Sequence, residues 1–377
     1  MFAGSIGSVK SVTIARITEI LHYIVIVGYL TGSLMMVLNW NVEGIDLQSL
    51  GLTICNYATN VMLVLLLEQF NHSILNGIFA ILLIAASIGF YLYAYRWVPS
   101  CLFLLITVSN VIREKRIVKI LLVLYLAIVL LIAVTCLTGI TVNGVVNHDY
   151  ATGYSLGFMH PNSVGAFLFV LATVLRFSVL REFNVRNNVI FVIVCVVFAV
   201  ISWVVAACRT ASILLIVLAA VAFILGALKG RPRSVIFHIL IFVPLICMVF
   251  SVGFTLYCMR HEIPDANLVR RFTFAASYLN QEGFHLVGKY FEPAEVIDNG
   301  YLLIILRDGI LWGVTLVGYL TYAMYRAVKS DRADYIAILS IFAIYGLMES
   351  IFQNPLYNVL LVFILSVRPS VPVYDDE

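Results

Sequence analysis

Charged residues are scarce in this sequence. Only 11% of its 377 residues are charged, whereas 62% are hydrophobic. Soluble domains contain about 25% charged and roughly 45–50% apolar residues. The mean hydropathy of +1.04 shows the same excess, which no soluble core of this length could bury. The shortage of charge therefore predicts an integral membrane protein.

The signals of several other protein classes are also missing. A formal net charge of only +3 argues against nucleic-acid binding. The seven cysteines are odd in number and contain no Cys-x-x-Cys pair, so neither a disulfide framework nor a zinc site is expected. The first apolar run is long enough to remain in the membrane, so no cleaved signal peptide is expected.

The apolar residues form runs of helical length. A membrane-spanning helix needs about 20 apolar residues, within a range of roughly 17–25. The pattern predicts an all-α polytopic protein with about twelve spans in one integral membrane domain, 1–377. The candidate spans are 18–38, 51–67, 73–95, 98–112, 117–140, 158–180, 189–207, 210–228, 235–257, 301–326, 334–352 and 355–368.

Lysine and arginine collect in five places between or before these spans, and such clusters mark the cytoplasmic side of a membrane. If every span crosses and both termini are cytoplasmic, all five clusters are cytoplasmic. The loops 39–50, 141–157 and 258–300 are then external. The clusters are Lys10 and Arg16; Arg113, Lys115, Arg116 and Lys119; Arg181 and Arg186; Lys229, Arg231 and Arg233; Arg326, Lys329 and Arg332.

The loop 258–300 is the longest stretch that a bilayer would not accept. Its Arg260, Arg270, Arg271 and Lys289 lie on the predicted external side, where topology does not favour positive charge. These residues therefore indicate a use other than orientation.

Polar residues lie at the predicted outer entry of the sixth span, where His160, Pro161 and Asn162 stand in sequence. Pro161 suits a first helical turn, because its missing N–H would be unpaired there. His160 and Asn162 could cap the helix or could belong to a functional site.

Arg209 follows a long uncharged stretch on the predicted external side, next to Thr210. It could extend to the interface along its apolar stem. An ionisable residue in such a place is nevertheless a functional candidate.

A third polar group precedes the tenth span. Asp298 is expected to cap that helix. Arg307 and Asp308 follow about two turns later, and adjacent residues on a helix are expected to contact different neighbours. Glu349, near the predicted outer end of the eleventh span, is a candidate partner for an arginine.

Spans six, eight and ten all begin on the predicted external side. Helix N-termini carry unpaired N–H groups and favour anions such as phosphate. Together with Arg209, Arg270 and Arg271, they predict an external site for a diphosphate, because arginine makes bidentate phosphate contacts.

Short motifs follow one another along the chain: His160-Pro161-Asn162, Arg209-Thr210, Arg271-Phe272, Gly288 and Asp298 to Leu302. Motifs in this order resemble those of Wzy-type polysaccharide polymerases, which are related to the O-antigen ligases. The resemblance covers the C-terminal two thirds of the chain, and the external loop is short for the family. It departs from the family at Arg270, where a glycine is frequent.

The resemblance implies a glycosyltransferase that polymerises oligosaccharide repeat units on undecaprenyl diphosphate, at the outer face of a bacterial inner membrane. The donor and the acceptor are both lipid-linked, and the reaction uses no cofactor, metal or nucleotide sugar. Membrane lipids surround the protein, and a chain-length regulator is a further partner to test. The product could be capsule, exopolysaccharide or O-antigen.

Glycosyl transfer requires a base for the acceptor hydroxyl and stabilisation of the departing diphosphate. Arg209 and Arg271, with or without Arg270, are expected to bind the diphosphate. Asp298 and His160 remain alternative bases. The further candidate substrate-binding residues are Asn162, Thr210, Asn299 and Tyr301.

Two other functions fit the sequence. An O-antigen ligase would keep the same site and change the acceptor. A transporter or flippase of lipid-linked sugars would place polar residues and broken helices near the bilayer midplane, in two corresponding halves. The polar residues here gather at predicted outer helix ends, which favours the enzyme.

Overall fold

The computed structural model describes residues 3–67, 114–148, 151–180, 184–228, 230–261, 267–288 and 297–358, with isolated positions between 74 and 92. The predicted span 98–112 lies outside the described residues. So do most of 73–95 and of 355–368.

The described chain is mostly helical, as the apolar runs predict. It also contains a π-helical turn at Ile304–Asp308 and a 3-10 turn at Ile351–Gln353. The helices are α1 Ala3–Val37, α2 Leu47–Leu66, α3 Glu114–Leu137, α4 Pro161–Ser178, α5 Val185–Val204, α6 Arg209–Ala227, α7 Gly230–Leu240, α8 Val243–Arg260, α9 Asn267–Glu282, α10 Gly300–Leu303, α11 Ile310–Lys329, α12 Ala333–Met348 and α13 Pro355–Asn358.

Within the described residues, seven helices are long and apolar enough to cross a membrane. They are α1 (through Arg16–Val37), α2, α3 (through Arg116–Leu137), α4, α5, α6 and α8. Helix α12 is apolar but has only 16 residues, about 24 Å at the helical rise. The transmembrane character is thus shown. The count of twelve and the sidedness stay predictions.

Two predicted spans are interrupted. The ninth, 235–257, divides between α7 and α8, where Pro244 lies in the first turn of α8. Proline cannot donate the hydrogen bond that a continuous helix requires. The tenth, 301–326, divides after the π-helical turn at Gly309, whose φ of 100° favours glycine.

A β-hairpin occupies part of the predicted loop 141–157 and departs from a purely α-helical fold. Strands β1 (Val145–His148) and β2 (Ala151–Tyr154) pair antiparallel, with Val145 opposite Tyr154. The N–H of Tyr154 donates to the carbonyl of Val205 at 2.8 Å, which attaches the hairpin to the turn between α5 and α6.

Helix α12 lies in the centre of the described fold. It packs against α6, α8, α10 and α11, and nearly all of its side chains are buried. Both of its ends therefore place polar residues in the protein interior.

The predicted loop 258–300 is partly helical. Its first residues, to Arg260, belong to α8, and the amphipathic helix α9 follows. Phe272 of α9 meets the rings of Phe250 and Phe254 edge-on, with centroids 5.9 and 4.9 Å apart. Ala275 and Leu279 bury the same face, at helical spacing. This packing holds α9 against α8.

Candidate functional site

A cavity of about 370 Å³ opens beside the C-terminal end of α12. Four parts of the chain form its wall: the start of α4, the residue before the α10 cap, the end of α12, and the segment after α12. The lining residues are His160, Asn162, Ser163, Ala166, Asp298, Tyr345, Glu349, Ser350, Ile351 and Tyr357.

Glu349 is the central charged group of the cavity wall. It lies just beyond the last residue of α12, with extended backbone, and is only 7% exposed. Its Oε1 is 3.6 Å from Nη2 of Arg271. The side-chain amide of Asn162 donates to Oε1 and Oε2, each at 3.4 Å. These are long contacts for a buried carboxylate.

Burial raises the pKa of Glu349 to about 7, because an ionised carboxylate is costly away from water. The cation of Arg271 opposes this shift, whereas the nearby Asp298 adds to it. Hydrogen bonds from Thr210 and Asn162 also lower the pKa. Glu349 can therefore exchange a proton near neutral pH.

The structure distinguishes the two adjacent loop arginines. Arg271 is directed inward, where it contacts Glu349 and its Nη1 donates to the carbonyl oxygen of Asp298 at 3.5 Å. Arg270 is exposed and lies over the ring of Phe274, 5.6 Å from its centroid. Consecutive residues point to different sides of α9, and the inward side places Arg271 against the wall residues Glu349 and Asp298.

Asp298 is not the helix cap that its position predicts. Asn299 caps α10, because its Oδ1 accepts the N–H of Leu302 at 3.0 Å. The amide of Asn299 also donates to Ser251 Oγ and to the carbonyl of Leu347. The carboxyl of Asp298 lines the cavity instead. Burial raises its pKa, and the charges of Arg271 and His160 oppose that shift.

His160 caps α4 and also lies at the cavity, and its functional role stays a prediction. It is the N-cap of α4, and its Nδ1 accepts the backbone N–H of Asn162 at 3.1 Å. It also lines the cavity. A neutral imidazole whose Nδ1 accepts a hydrogen bond carries its proton on Nε2. His160 would have to break its cap before Nδ1 could accept a proton.

The remaining predicted site residues divide into two groups. Arg209 is exposed at the first position of α6, and the next residue, Thr210, reaches Glu349. Tyr301 is buried, and its hydroxyl donates to the carbonyl of Ala343 at 2.9 Å. Tyr301 and Asn299 therefore hold helices together and do not line the cavity.

The expectation that Arg307 and Asp308 contact different neighbours is wrong. Arg307 Nε lies 2.7 Å from Asp308 Oδ1, and Nη2 lies 3.0 Å from Oδ2. Both residues belong to the π-helical turn, which ends at Gly309. The wider turn changes the angle between consecutive side chains, so the two form a bidentate pair.

Sequence reasoning gave Glu349 no role in the chemistry, and it missed Tyr345, Ser350 and Tyr357 at the cavity wall. A carboxylate at the end of an apolar run was an available signal for Glu349. The other three residues carry no such signal. Their position depends on how the chain folds back after α12.

Among the described residues, no group of three or more His, Cys, Asp or Glu side chains could hold a metal ion. A metal-free reaction stays a prediction. The described fold and cavity define a helical membrane protein in which a buried carboxylate lies beside a partly buried arginine. No family model, curated protein or solved structure matches the chain.

Proposed function

We propose that this protein is a glycosyltransferase that polymerises oligosaccharide repeat units carried on a polyprenyl diphosphate, undecaprenyl diphosphate in a bacterial inner membrane. The motif resemblance suggests this reaction. The observation that supports it best is the convergence of Asn162, Thr210, Arg271 and Asp298 around Glu349. These residues come from four distant parts of the chain, and all four belong to the motifs.

Glu349 is the general base of the proposed reaction. An efficient base has a pKa near the working pH, and the pKa of Glu349 is about 7. The acceptor hydroxyl gives its proton to Glu349, and its oxygen forms a bond to the anomeric carbon of the donor sugar. The bond from that carbon to the diphosphate oxygen breaks, and the diphosphate leaves with the electron pair.

The departing diphosphate gains negative charge and requires cations nearby. Arg209 is exposed at the N-terminus of α6, where helix N–H groups also favour an anion. Arg271 lies beside Glu349 and is the second cation of the proposed site. In the proposed chemistry, Arg209 and Arg271 stabilise the charge of the diphosphate, while Glu349 takes the proton of the acceptor hydroxyl.

A transporter of lipid-linked sugars is the second candidate, because transporters use discontinuous helices. The break between α7 and α8 and the π-helical turn before Gly309 are such features. An O-antigen ligase would use the polymerase site with a different acceptor. The three functions leave different intermediates on the lipid carrier.

The test compares lipid-linked glycans in cells that lack this protein and in cells that carry the wild type or Arg209→Ala. We expect single repeat units to accumulate on the external face in the deletion and in Arg209→Ala, at normal protein levels. Normal polymer length with Arg209→Ala would refute the diphosphate role. Full-length polymer retained on the lipid would indicate a ligase, and units trapped on the cytoplasmic face would indicate a transporter.

A further inference from the structure

The cavity beside Glu349 has the size of a site for one small group. Its volume of about 370 Å³ is near the lower end of the roughly 300–1,000 Å³ found for small-molecule sites. A whole repeat unit with its lipid carrier would exceed this space. One sugar ring at the end of an oligosaccharide has a suitable size.

The chemistry of the wall also suits a sugar. Ala166, Ile351 and the rings of Tyr345 and Tyr357 supply apolar surface, on which the C–H face of a sugar can pack. Ser163 and Ser350 add hydroxyl groups, and the side chains around Glu349 add charged and amide groups. Mixed apolar and polar walls of this kind orient a small polar ligand.

Tyr345 provides an independent observation. It is 1% exposed, and its hydroxyl has no hydrogen-bond partner among the described residues. The hydroxyl of Tyr357, on the same wall, donates to the carbonyl of Ser163. An edge-on contact with Phe169, 5.2 Å between centroids, holds the Tyr345 ring. Because an unpaired buried hydroxyl is costly, a ligand oxygen is an effective partner for it.

We propose that the cavity is the subsite for the terminal sugar of the acceptor, and that the hydroxyl of Tyr345 donates a hydrogen bond to this sugar. The attacking hydroxyl of the same ring then faces Glu349. Tyr345 is a positioning residue in this scheme, whereas Glu349 takes the proton. The inference rests on the proposed polymerase function.

The experiment uses the full-length protein in lipid nanodiscs, with lipid-linked repeat units isolated from cells that lack it. The inhibitor is the same oligosaccharide released from its lipid by mild acid. It has no diphosphate, so it can occupy the acceptor site but cannot act as a donor. Polyprenyl diphosphate without sugar is the inhibitor that reports on the donor site.

We expect Tyr345→Phe to weaken inhibition by the free oligosaccharide about three- to tenfold, the range for one net hydrogen bond. Inhibition by polyprenyl diphosphate should stay unchanged, and thermal stability should not fall, because the variant removes an unpaired buried hydroxyl. Tyr319→Phe is the matched control, since its buried hydroxyl also lacks a partner among the described residues and does not line this cavity. It should leave both inhibition constants unchanged.

Unchanged inhibition by the oligosaccharide in Tyr345→Phe would overturn this inference, while polymerisation by the wild type would still support the proposed function. A weaker effect of polyprenyl diphosphate alone would also overturn it, because the cavity would then serve the donor. Failure of the wild type to polymerise the isolated units would refute the proposed function itself.

Discussion

The two ends of α12 both carry a buried acidic side chain beside an arginine, yet their geometry differs. At the first end, Asp334 forms a two-point pair with Arg332, with Nε–Oδ1 and Nη2–Oδ2 distances of 3.2 Å each. At the second end, Glu349 Oε1 and Arg271 Nη2 are 3.6 Å apart, which is longer than a hydrogen bond. The exposed fractions are similar, 4% for Asp334 and 7% for Glu349.

The dipole of α12 also makes the environments of the two acidic side chains different. Asp334 lies in the first turn, where the helix dipole favours negative charge, and Glu349 follows the last residue, where the dipole opposes it. Arg332 also stacks over Tyr335, at 4.2 Å from the ring centroid. Burial beside an arginine therefore does not by itself indicate chemistry. The looser pairing of Glu349, beside a cavity, is the difference that supports the proposed role of this carboxylate.

The largest expected effect comes from replacing the acidic residues at the two ends of α12, each in its own variant. Glu349→Gln should lower polymerisation by at least about a hundredfold, because the base is lost. Asp334→Asn should retain activity and lower the free energy of unfolding by about 1–3 kcal/mol, because Arg332 loses its charged acceptor. Lipid-linked glycan length and thermal unfolding measure the two effects. Normal polymer length in Glu349→Gln would show that Glu349 is not the base and that the two ends of α12 do not differ in function.

The pH profile tests the loose pairing of Glu349. Because its pKa is raised to about 7, the carboxylate forms only as pH rises through that value, and kcat/KM should fall below it. Arg271 lowers this pKa, so Arg271→Met should move the acidic limb to higher pH. Arg271→Lys keeps the charge and should leave the limb near pH 7. An identical limb in all three proteins would exclude Glu349 as the base.

The smallest expected effect concerns the packing of the cavity wall near Glu349. A Cβ on Gly346 would collide with the ring of Phe352, which follows the cavity residues Ser350 and Ile351. Gly346→Ala should lower the free energy of unfolding by about 1–3 kcal/mol and reduce polymerisation, because the wall must shift. In Gly318→Ala the added Cβ meets nothing within 4 Å, so stability and activity should not fall. Thermal unfolding and glycan length are measured for both variants. Equal stability and equal glycan length in the two variants would show that the cavity wall is not tightly packed at Gly346.

Much of the fold follows from local pattern. The apolar runs predict the long helices well, since seven of the described helices can cross a membrane. The helix α9 could also have been predicted, because Phe272, Ala275, Ala276 and Leu279 recur at helical spacing. The interruption at Gly309 was harder to predict, because a π-helical turn depends on packing against neighbouring segments.

The sequence predicted which segments contribute to the candidate site, but it did not predict how these segments are arranged in space. The sequence singled out His160, Asn162, Asp298 and both loop arginines. It could not show that Asn299 takes the cap and leaves Asp298 beside the cavity. Adjacent residues compete for one cap, and tertiary contacts of Asn299 with Ser251 and Leu347 decide the outcome.

The sequence by itself determined that the chain is a helical membrane protein, because apolar runs of helical length and a shortage of charge admit no soluble core. It also determined where polar groups interrupt those runs. Only the tertiary structure decided that Glu349 is the shared neighbour of Asn162, Thr210 and Arg271. Burial and the distances between charges set its pKa, and both depend on segments nearly 190 residues apart.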